Sequence, residues 1–382
     1  MKKLLYLTFL NEDIRPGYKN KIHAQCQGFS NVGVTTELII VKNEGIARYS
    51  FEKGKIDVLE YKKINRNRLL EKRNMIDEFF LFIDWKKYVK EISLNSKPDI
   101  VYIRRVLPIT PSLLSLLKYL KKRNIKIVYE YPTWPWEKEM LIEKQYLFYL
   151  IDKLFFSKLE KIVYKFSIVG AKESEFNKKN IYISNAINVD MLSLKKEEIK
   201  TEKSVRLITV AHVSIFHGYD RLIEGLKNYY SKKQEIDVYF DIVGPVDRKL
   251  GLENLVEKYN LKKYVKFLGY KTSSELDEIF NIADIGIGCL GVHRKGISQL
   301  NSLKNREFAA RGIPFIFSEY DEVIEKENPK FILKLPQNDT AVDIEDVIEF
   351  YSKEKETKEE IRNFARDYLS WDTQMKKIIE NL

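Results

Sequence analysis

The chain has 382 residues, of which 44% are hydrophobic and 32% charged, and it contains 16 Gly, 10 Pro and two Cys. This composition excludes collagen-like, low-complexity and disordered chains, and the two cysteines exclude a disulfide framework. The net charge of +11 is uneven, because residues 1–180 carry +14 and the remaining residues carry −3. A basic half predicts an anionic partner, with a solvated lysine-rich surface as the alternative.

Short apolar runs alternate with longer helix-like stretches in the first half of the chain. The run Leu4–Leu10 is followed by Asn11-Glu12-Asp13 without a small-residue cleavage site, so it predicts a buried strand and not a signal peptide. No apolar run reaches the ~18 residues of a membrane span, and we expect a cytoplasmic protein. The pattern then predicts helix Tyr18–Asn31, strands Glu37–Val41 and Asp99–Ile103, helix Pro111–Arg123, strand Lys126–Tyr129, helix Lys138–Phe166, and strands Ser167–Gly170 and Ile181–Ser184.

The alternation begins again at residue 205, after a charged stretch, Leu192–Lys203, that predicts an interdomain hinge. Two such runs predict two doubly wound α/β domains in tandem, each with a parallel sheet covered on both faces. The predicted elements are strand Val205–Val210, helix Tyr219–Tyr230, strand Asp237–Val243, helix Leu252–Tyr259, strand Val265–Leu268, helix Ser274–Asn281, strand Ile285–Gly288, helix Ser302–Arg311 and strand Pro314–Ser318.

A literal GxGxxG pattern lies at Gly286, Gly288 and Gly291. A dinucleotide fingerprint opens directly into a helix, whereas this one leads into a basic loop, so we do not interpret it as a dehydrogenase site. The segment Ser302–Pro314 is more informative, because it predicts a helix that ends at Gly312. Glu307 in this helix is suited to accept hydrogen bonds from the two hydroxyls of a ribose.

The run Leu-Lys-x-x-Glu-Phe-x-Ala-x-Gly-x-Pro at residues 303–314 resembles the C-terminal nucleotide-sugar motif of glycosyltransferase family 4. Three other segments are similar to motifs of that family, in the same order along the chain: Asn185–Asp190, Phe216–Leu222 and Val265–Gly269. The resemblance implies the GT-B fold, with two Rossmann-like domains that face a central cleft. It places an acceptor-binding domain at 1–184, to which a helix at about 366–382 returns, and a donor-binding domain at 185–365.

The resemblance further implies a retaining transfer of sugar from a UDP- or GDP-linked donor to a glycan or lipid-linked acceptor, with no cofactor and no metal. Two positions depart from the family pattern, because Gln299 replaces a sugar-binding Glu and His217 replaces a diphosphate-binding Lys. Basic side chains nearby could substitute for that lysine. The predicted donor-binding residues are Gly17, His217, Gly218, Arg221, Gly269, Lys295, Gln299, Lys304 and Glu307, and the predicted catalytic residues are Glu130 and Arg294.

Three features of the first half of the chain each allow two interpretations. Gly17 lies in a strand–helix turn that either binds a phosphate or is an ordinary turn. Glu130 begins an aromatic loop, Tyr129–Trp136, and is either catalytic or part of a packed loop. The stretch Tyr146–Phe166 is aromatic with interspersed lysines, so it predicts either a buried helix or one that faces a membrane.

The sequence therefore favours a glycosyltransferase of cell-surface polysaccharide or glycolipid synthesis. The alternatives are a nucleotide-sugar epimerase or phosphorylase of the same fold, and a catalytically degenerate glycan-binding or scaffold protein. No helix-turn-helix, RNA-recognition or zinc signature accompanies the basic half, so we expect no nucleic-acid partner. The basic half instead predicts a peripheral position at the inner face of the plasma membrane.

Overall fold

The computed structural model describes residues 1–14, 16–52, 54–64, 75–133, 136–142, 144–170, 179–196, 203–296 and 299–382. The chain forms two compact units: an N-terminal unit of Met1–Ser184 with Trp371–Leu382, and a C-terminal unit of Asn185–Ser370. The boundary expected after residue 184 falls at the same place, and the returning segment begins at Trp371. The stretch interpreted as a hinge differs, because its described part lies in the C-terminal unit and residues 197–202 lie outside the described residues.

The described part of the N-terminal unit contains strands β1 (Lys3–Asn11), β2 (Thr35–Lys42), β3 (Gly45–Glu52), β4 (Lys55–Lys63), β5 (Ile100–Arg104), β6 (Lys126–Tyr131), β7 (Lys165–Val169) and β8 (Asn180–Ile183). Its helices are α1 (Pro16–Asn31), α2 (Met75–Ser96), α3 (Pro111–Lys121), α4 (Trp136–Ile142), α5 (Tyr146–Ile162) and α13 (Trp371–Glu380). The sheet order is β4-β3-β2-β1-β5-β6-β7-β8, parallel except for the pairs that β3 makes with β2 and β4.

The described part of the C-terminal unit contains strands β9 (Ser204–Val210), β10 (Asp237–Val243), β11 (Val265–Gly269), β12 (Ile285–Ile287), β13 (Phe315–Phe317) and β14 (Ile332–Lys334). Its helices are α6 (Tyr219–Tyr230), α7 (Leu252–Lys258), α8 (Ser273–Asn281), α9 (Leu303–Ala310), α10 (Glu322–Glu327), α11 (Ile344–Lys353) and α12 (Lys358–Tyr368). The sheet order is β11-β10-β9-β12-β13-β14, and all described pairs are parallel.

The apolar runs of the sequence become strands because both faces of each sheet are covered. All five residues of β5 and all three of β12 are buried, as the central strands of a doubly wound sheet require. Helix α3 shows how the flanking helices are fixed: the Thr110 side chain accepts a hydrogen bond from the Leu113 amide, and Pro111 occupies the first turn. None of the described helices combines the length and apolar character of a membrane span.

Each unit has a topological switch point, where the chain leaves one side of the first strand and returns to the other. In the N-terminal unit this point lies between β1 and β5, and in the C-terminal unit it lies between β9 and β12. Loops that follow neighbouring strands diverge there and leave a crevice at the carboxyl edge of the sheet. The two switch points are therefore the places in the fold that suit a ligand.

Candidate functional site

The switch point of the C-terminal unit is formed by the loops that follow β9 and β12. The loops are hydrogen-bonded to each other, because the amides of Leu290 and Gly291 donate to the carbonyls of His217 and Phe216 at 2.8 and 3.1 Å. Gly218 has φ of +64°, and a Cβ at this position would lie 2.6 Å from the Gly291 nitrogen. Glycine is thus required at residue 218, where α6 begins and its free amides point out of the helix.

Two of the three GxGxxG glycines, Gly286 and Gly288, serve the packing of helix α9. A Cβ at Gly288 would lie 2.5 Å from the Asn305 side-chain oxygen, and a Cβ at Gly286 would overlap the Phe308 ring. Absence of side chains on these two residues lets α9 approach the sheet closely. Gly286 and Gly288 therefore serve helix packing, whereas Gly291 packs against Gly218.

His217 lies at this edge of the sheet as a buried, neutral ring. Its Nδ1 accepts a hydrogen bond of 2.9 Å from the Ser214 amide, so the proton of the neutral ring resides on Nε2. Burial lowers the pKa of His217 to about 3, and the positive charge of Lys304 contributes to the shift. His217 does not replace the cationic charge of the family lysine, but its Nε2–H is a neutral hydrogen-bond donor.

Lys304, in the first turn of α9, is a charged side chain without a carboxylate partner among the described residues. Its ammonium group donates to the Tyr219 hydroxyl at 3.0 Å, and Tyr219 is hydrogen-bonded to Thr209 in turn. Burial lowers the pKa of Lys304, but the interactions with Tyr219 and Cys289 outweigh burial and the net shift is upward. The lysine is therefore a fixed positive charge at the sheet edge, close enough to influence the titration of His217.

The other cations expected to bind a diphosphate are differently placed. Arg294 forms ion pairs of 2.7 Å with both Asp220 and Asp339, which hold its pKa above the usual value. Its charge is therefore neutralised, and the structure offers no support for the predicted catalytic role. Lys295 remains exposed, and its ammonium group lies 3.6 Å from the centre of the Phe216 ring.

The structure contradicts the predicted contact between Arg221 and the donor. The Arg221 guanidinium is buried, and it donates to the carbonyls of Thr340, Leu290 and Pro336 and to the side chain of Asn338. Its hydrogen-bonding capacity is used to hold these loops on α6, so it has a structural role.

Glu307, Gln299 and Gly269 keep their predicted places on the C-terminal unit. Glu307 lies one turn after Lys304 on α9, is partly exposed, and accepts a 3.0 Å hydrogen bond from Arg311. Gln299 forms a bridge with Tyr320, after β13. Gly269 ends β11 with φ of +63° and precedes Tyr270, which is 83% exposed. The donor-binding roles of Glu307, Gln299 and Gly269 remain predictions.

The structure adds a buried pair that the sequence motifs did not indicate. Asn305 donates from its side-chain amide to Glu319 Oε1 at 3.0 Å, and both residues are fully buried. Asn305 Oδ1 and Glu319 Oε2 have no hydrogen-bond partner. Burial raises the pKa of Glu319 to about 7, so the carboxyl group carries a proton below that pH.

The structure also contradicts the predicted catalytic role of Glu130. Glu130 lies near the end of β6, as expected, but its carboxylate is fully buried in the N-terminal unit. Arg104 donates to it at 2.7 Å, and the Tyr6 hydroxyl lies 3.1 Å from its second oxygen. A carboxylate whose two oxygens are both hydrogen-bonded in the interior of the unit is not available to a sugar hydroxyl. Trp134 and Pro135 of the aromatic loop lie outside the described residues.

Gly17 is exposed in the first turn of α1, and a Cβ at this position would contact nothing within 4 Å. No steric constraint requires glycine there, so its predicted role in phosphate binding remains a prediction.

Of the predicted donor-binding residues, the structure brings His217, Gly218, Lys295 and Lys304 together at one switch point.

Residues 190–368 match the model of the family described as glycosyl transferases group 1. No match is found among curated proteins. Solved structures similar to the chain include a glycosyltransferase from Rickettsia africae ESF-5, with 15% identity over 99% of this chain and 97% of that chain and a TM-score of 0.62.

Two further similar structures have TM-scores of 0.57. Alr3699/HepE from Anabaena, solved in complex with UDP, is 10% identical over 100% of this chain and 99% of that chain. The lipopolysaccharide outer core galactosyltransferase WaaB is 12% identical over 100% and 99%. At these identities the likeness concerns the fold. The chain therefore has the GT-B fold, and residues 190–368 of its C-terminal unit are similar to glycosyl transferases group 1.

Proposed function

We propose that the protein is a glycosyltransferase that moves a sugar from a nucleoside diphosphate sugar to a hydroxyl of a glycan or lipid-linked acceptor. The observation that carries this proposal is the Lys304 ammonium, which forms no ion pair with a described carboxylate, at the switch point of the unit that matches the glycosyl transferases group 1 model. A half-buried cation that contacts the first residue of α6 suits the diphosphate of a donor. The leaving diphosphate gains charge during transfer, so the same groups stabilise the transition state.

We infer the remaining donor contacts from the positions of the candidate residues along the carboxyl edge of the sheet. We assign the ribose hydroxyls to Glu307 and the base to the end of β11, where the exposed Tyr270 ring can stack on it. His217 Nε2–H and Gln299 would then donate to the diphosphate or the sugar. The Anabaena relative was solved with UDP, so UDP is the first nucleotide to test. Retention of anomeric configuration and a role in cell-surface polysaccharide or glycolipid synthesis belong to the same proposal.

The decisive experiment titrates the protein with UDP and with UDP- and GDP-linked sugars, and compares the wild type with Lys304→Met. Loss of the charge-assisted contact, worth about 1.5–3 kcal/mol, should weaken the binding of the preferred donor by about tenfold or more. Lys233→Met is the control, because Lys233 is an exposed lysine beyond the C-terminal end of α6 and its loss should leave donor affinity unchanged. Equal donor affinity of wild type and Lys304→Met would contradict the proposed site.

One observation favours a second candidate, a nucleotide-sugar-binding protein without turnover. Both residues expected to be catalytic, Glu130 and Arg294, are held in ion pairs. Donor binding without release of the nucleoside diphosphate, over a panel of glycan and lipid-linked acceptors, would support that candidate. Product release with transfer would support the glycosyltransferase, and nuclear magnetic resonance of the product would give its anomeric configuration.

A further inference from the structure

The outer face of α5 carries a row of exposed leucines. Leu147, Leu150 and Leu154 expose 65%, 62% and 68% of their surface. Their spacing of three and four residues places them on one face of the helix. Tyr146 at the start of the helix is also exposed, whereas Leu159 and Ile162 are buried against the rest of the unit. Large aliphatic side chains repeated along one exposed face mark an interaction surface.

Lysines accompany this row. At helical spacing, Lys153 and Lys158 lie on either side of the leucines, and Lys161 continues the row two turns beyond Leu154. All three are exposed, and none forms an ion pair among the described residues. The helix has two acidic residues: Asp152 is buried and accepts a hydrogen bond from Arg105 at 2.9 Å, and Glu160 is half-buried.

The positive charge extends from α5 to helix α3. Lys121 of α3 donates to the Lys161 carbonyl at 2.7 Å, so the exposed ends of the two helices are adjacent. Lys118 and Lys122 are exposed on α3 as well. The surface therefore combines an apolar row with a border of one charge sign, which is the pattern of helices that lie in the headgroup region of a bilayer.

We propose that this α5 surface, defined as Tyr146, Leu147, Leu150, Lys153, Leu154, Lys158 and Lys161, docks on a membrane that contains anionic lipids. The leucines would enter the boundary between headgroups and acyl chains, and the lysines would meet lipid phosphates. The +14 charge of residues 1–180 would attract the unit to such a surface at low salt. The inference stands independently of the proposed sugar transfer, and its test uses no donor.

The test is flotation of the full-length protein with vesicles of phosphatidylglycerol and phosphatidylcholine in equal parts, and with vesicles of phosphatidylcholine alone. We expect binding to the anionic vesicles that weakens as salt rises. Replacement of Leu147, Leu150 and Leu154 by Gln should reduce the vesicle-bound fraction by about tenfold or more, since insertion of the apolar row is lost. The control is Leu94→Gln, because Leu94 is a 50% exposed leucine on α2 of the same unit.

A second variant tests the charge: Lys153, Lys158 and Lys161 replaced by Gln should lose binding, whereas Lys232 and Lys233 replaced by Gln should not. Insertion is read separately with an environment-sensitive fluorophore on Leu150→Cys, because Cys26 and Cys289 are buried. A blue shift on anionic vesicles is expected. Equal flotation of wild type and the leucine variant would overturn the proposal. So would a wild type that does not bind vesicles but forms a dimer in sedimentation equilibrium, if the leucine variant abolishes that dimer.

Discussion

Glu307 and Asp277 share one arginine, and this allows the ribose assignment to be tested. Arg311 donates to Glu307 at 3.0 Å and to Asp277 at 2.6 Å. Glu307→Gln keeps the side-chain shape but removes the charge-assisted acceptance of two hydroxyls, so donor affinity should fall by about tenfold or more. Asp277→Asn disturbs the same arginine without a proposed ribose contact, and donor affinity should be nearly unchanged. Titration calorimetry with UDP measures both, and equal losses would assign the effect to Arg311.

The Asn305–Glu319 pair predicts a pH dependence of stability. Burial raises the pKa of Glu319 to about 7, whereas an unfolded Glu titrates near ~4.3. Between these values the folded protein binds a proton that the unfolded chain has released. The free energy of unfolding therefore falls as pH rises through this window. At pH values above the window, the loss of unfolding free energy stays constant.

Replacement of Glu319 by Gln should remove this slope, because the amide does not titrate. The variant should exceed the wild type in unfolding free energy by up to about 3 kcal/mol near pH 8 and lose that advantage near pH 5. Urea unfolding at the two pH values measures the difference, with Glu325→Gln as a control on an ion-paired surface carboxylate. A parallel pH dependence of wild type and Glu319→Gln would contradict the buried acid.

At the scale of single elements, the start of α6 depends on a glycine for two reasons that can be separated. Gly218 and Gly251 each precede a helix with φ of +64° and +62°, but only Gly218 faces another backbone segment. Gly251→Ala should cost roughly 1–2 kcal/mol of conformational strain. Gly218→Ala should cost roughly 1–3 kcal/mol more, because its Cβ would overlap with the Gly291 backbone. Chemical denaturation measures both variants, and equal costs would show that the two loops separate easily.

Elements with strong hydrophobic patterns could be predicted from the sequence, and some bounds are exact. Helix Tyr219–Tyr230 and strand Asp237–Val243 are confirmed residue by residue. Strand β4 was missed because most of its residues are exposed, so its sequence lacks a buried face. The predicted helix Lys138–Phe166 is wrong in its bounds, since Lys144 adopts φ of +58° between α4 and α5 without a glycine to signal it.

The candidate site was predictable only in part, for a related reason. A motif identifies which residues lie near a strand end, and His217, Gly218 and Lys304 do meet there. It does not show which charges are already paired, because the partners are distant in the chain: Arg104 for Glu130 and Asp339 for Arg294. Pairing of this kind is a property of the folded unit, and a motif cannot show it.

At the scale of the whole molecule, the N-terminal unit depends on the last helix. Met375 and Ile378 of α13 are fully buried, and the Ser184 amide donates to the Gln374 side chain at 2.9 Å. A chain that ends at Ser370 should therefore lose protection against hydrogen exchange in α1 and β1, while β9–β14 remain protected. UDP affinity should be retained, because the proposed donor contacts lie mostly in the other unit. The control is Lys376→Ala, which changes an exposed residue of α13. Uniform loss of protection in both units would contradict the division of the chain into two separate units.

The position of α13 also sets the order in which the chain can be completed during synthesis. Domains generally fold as units from the N-terminus as translation proceeds. Here the C-terminal unit has all of its residues once Ser370 has left the ribosome, whereas the unit that is translated first still lacks Trp371–Leu382. The unit begun first is thus finished last. The surface of helix α1 on which Trp371 and Met375 pack beside Gly28 therefore stays uncovered until Trp371–Leu382 have left the ribosome.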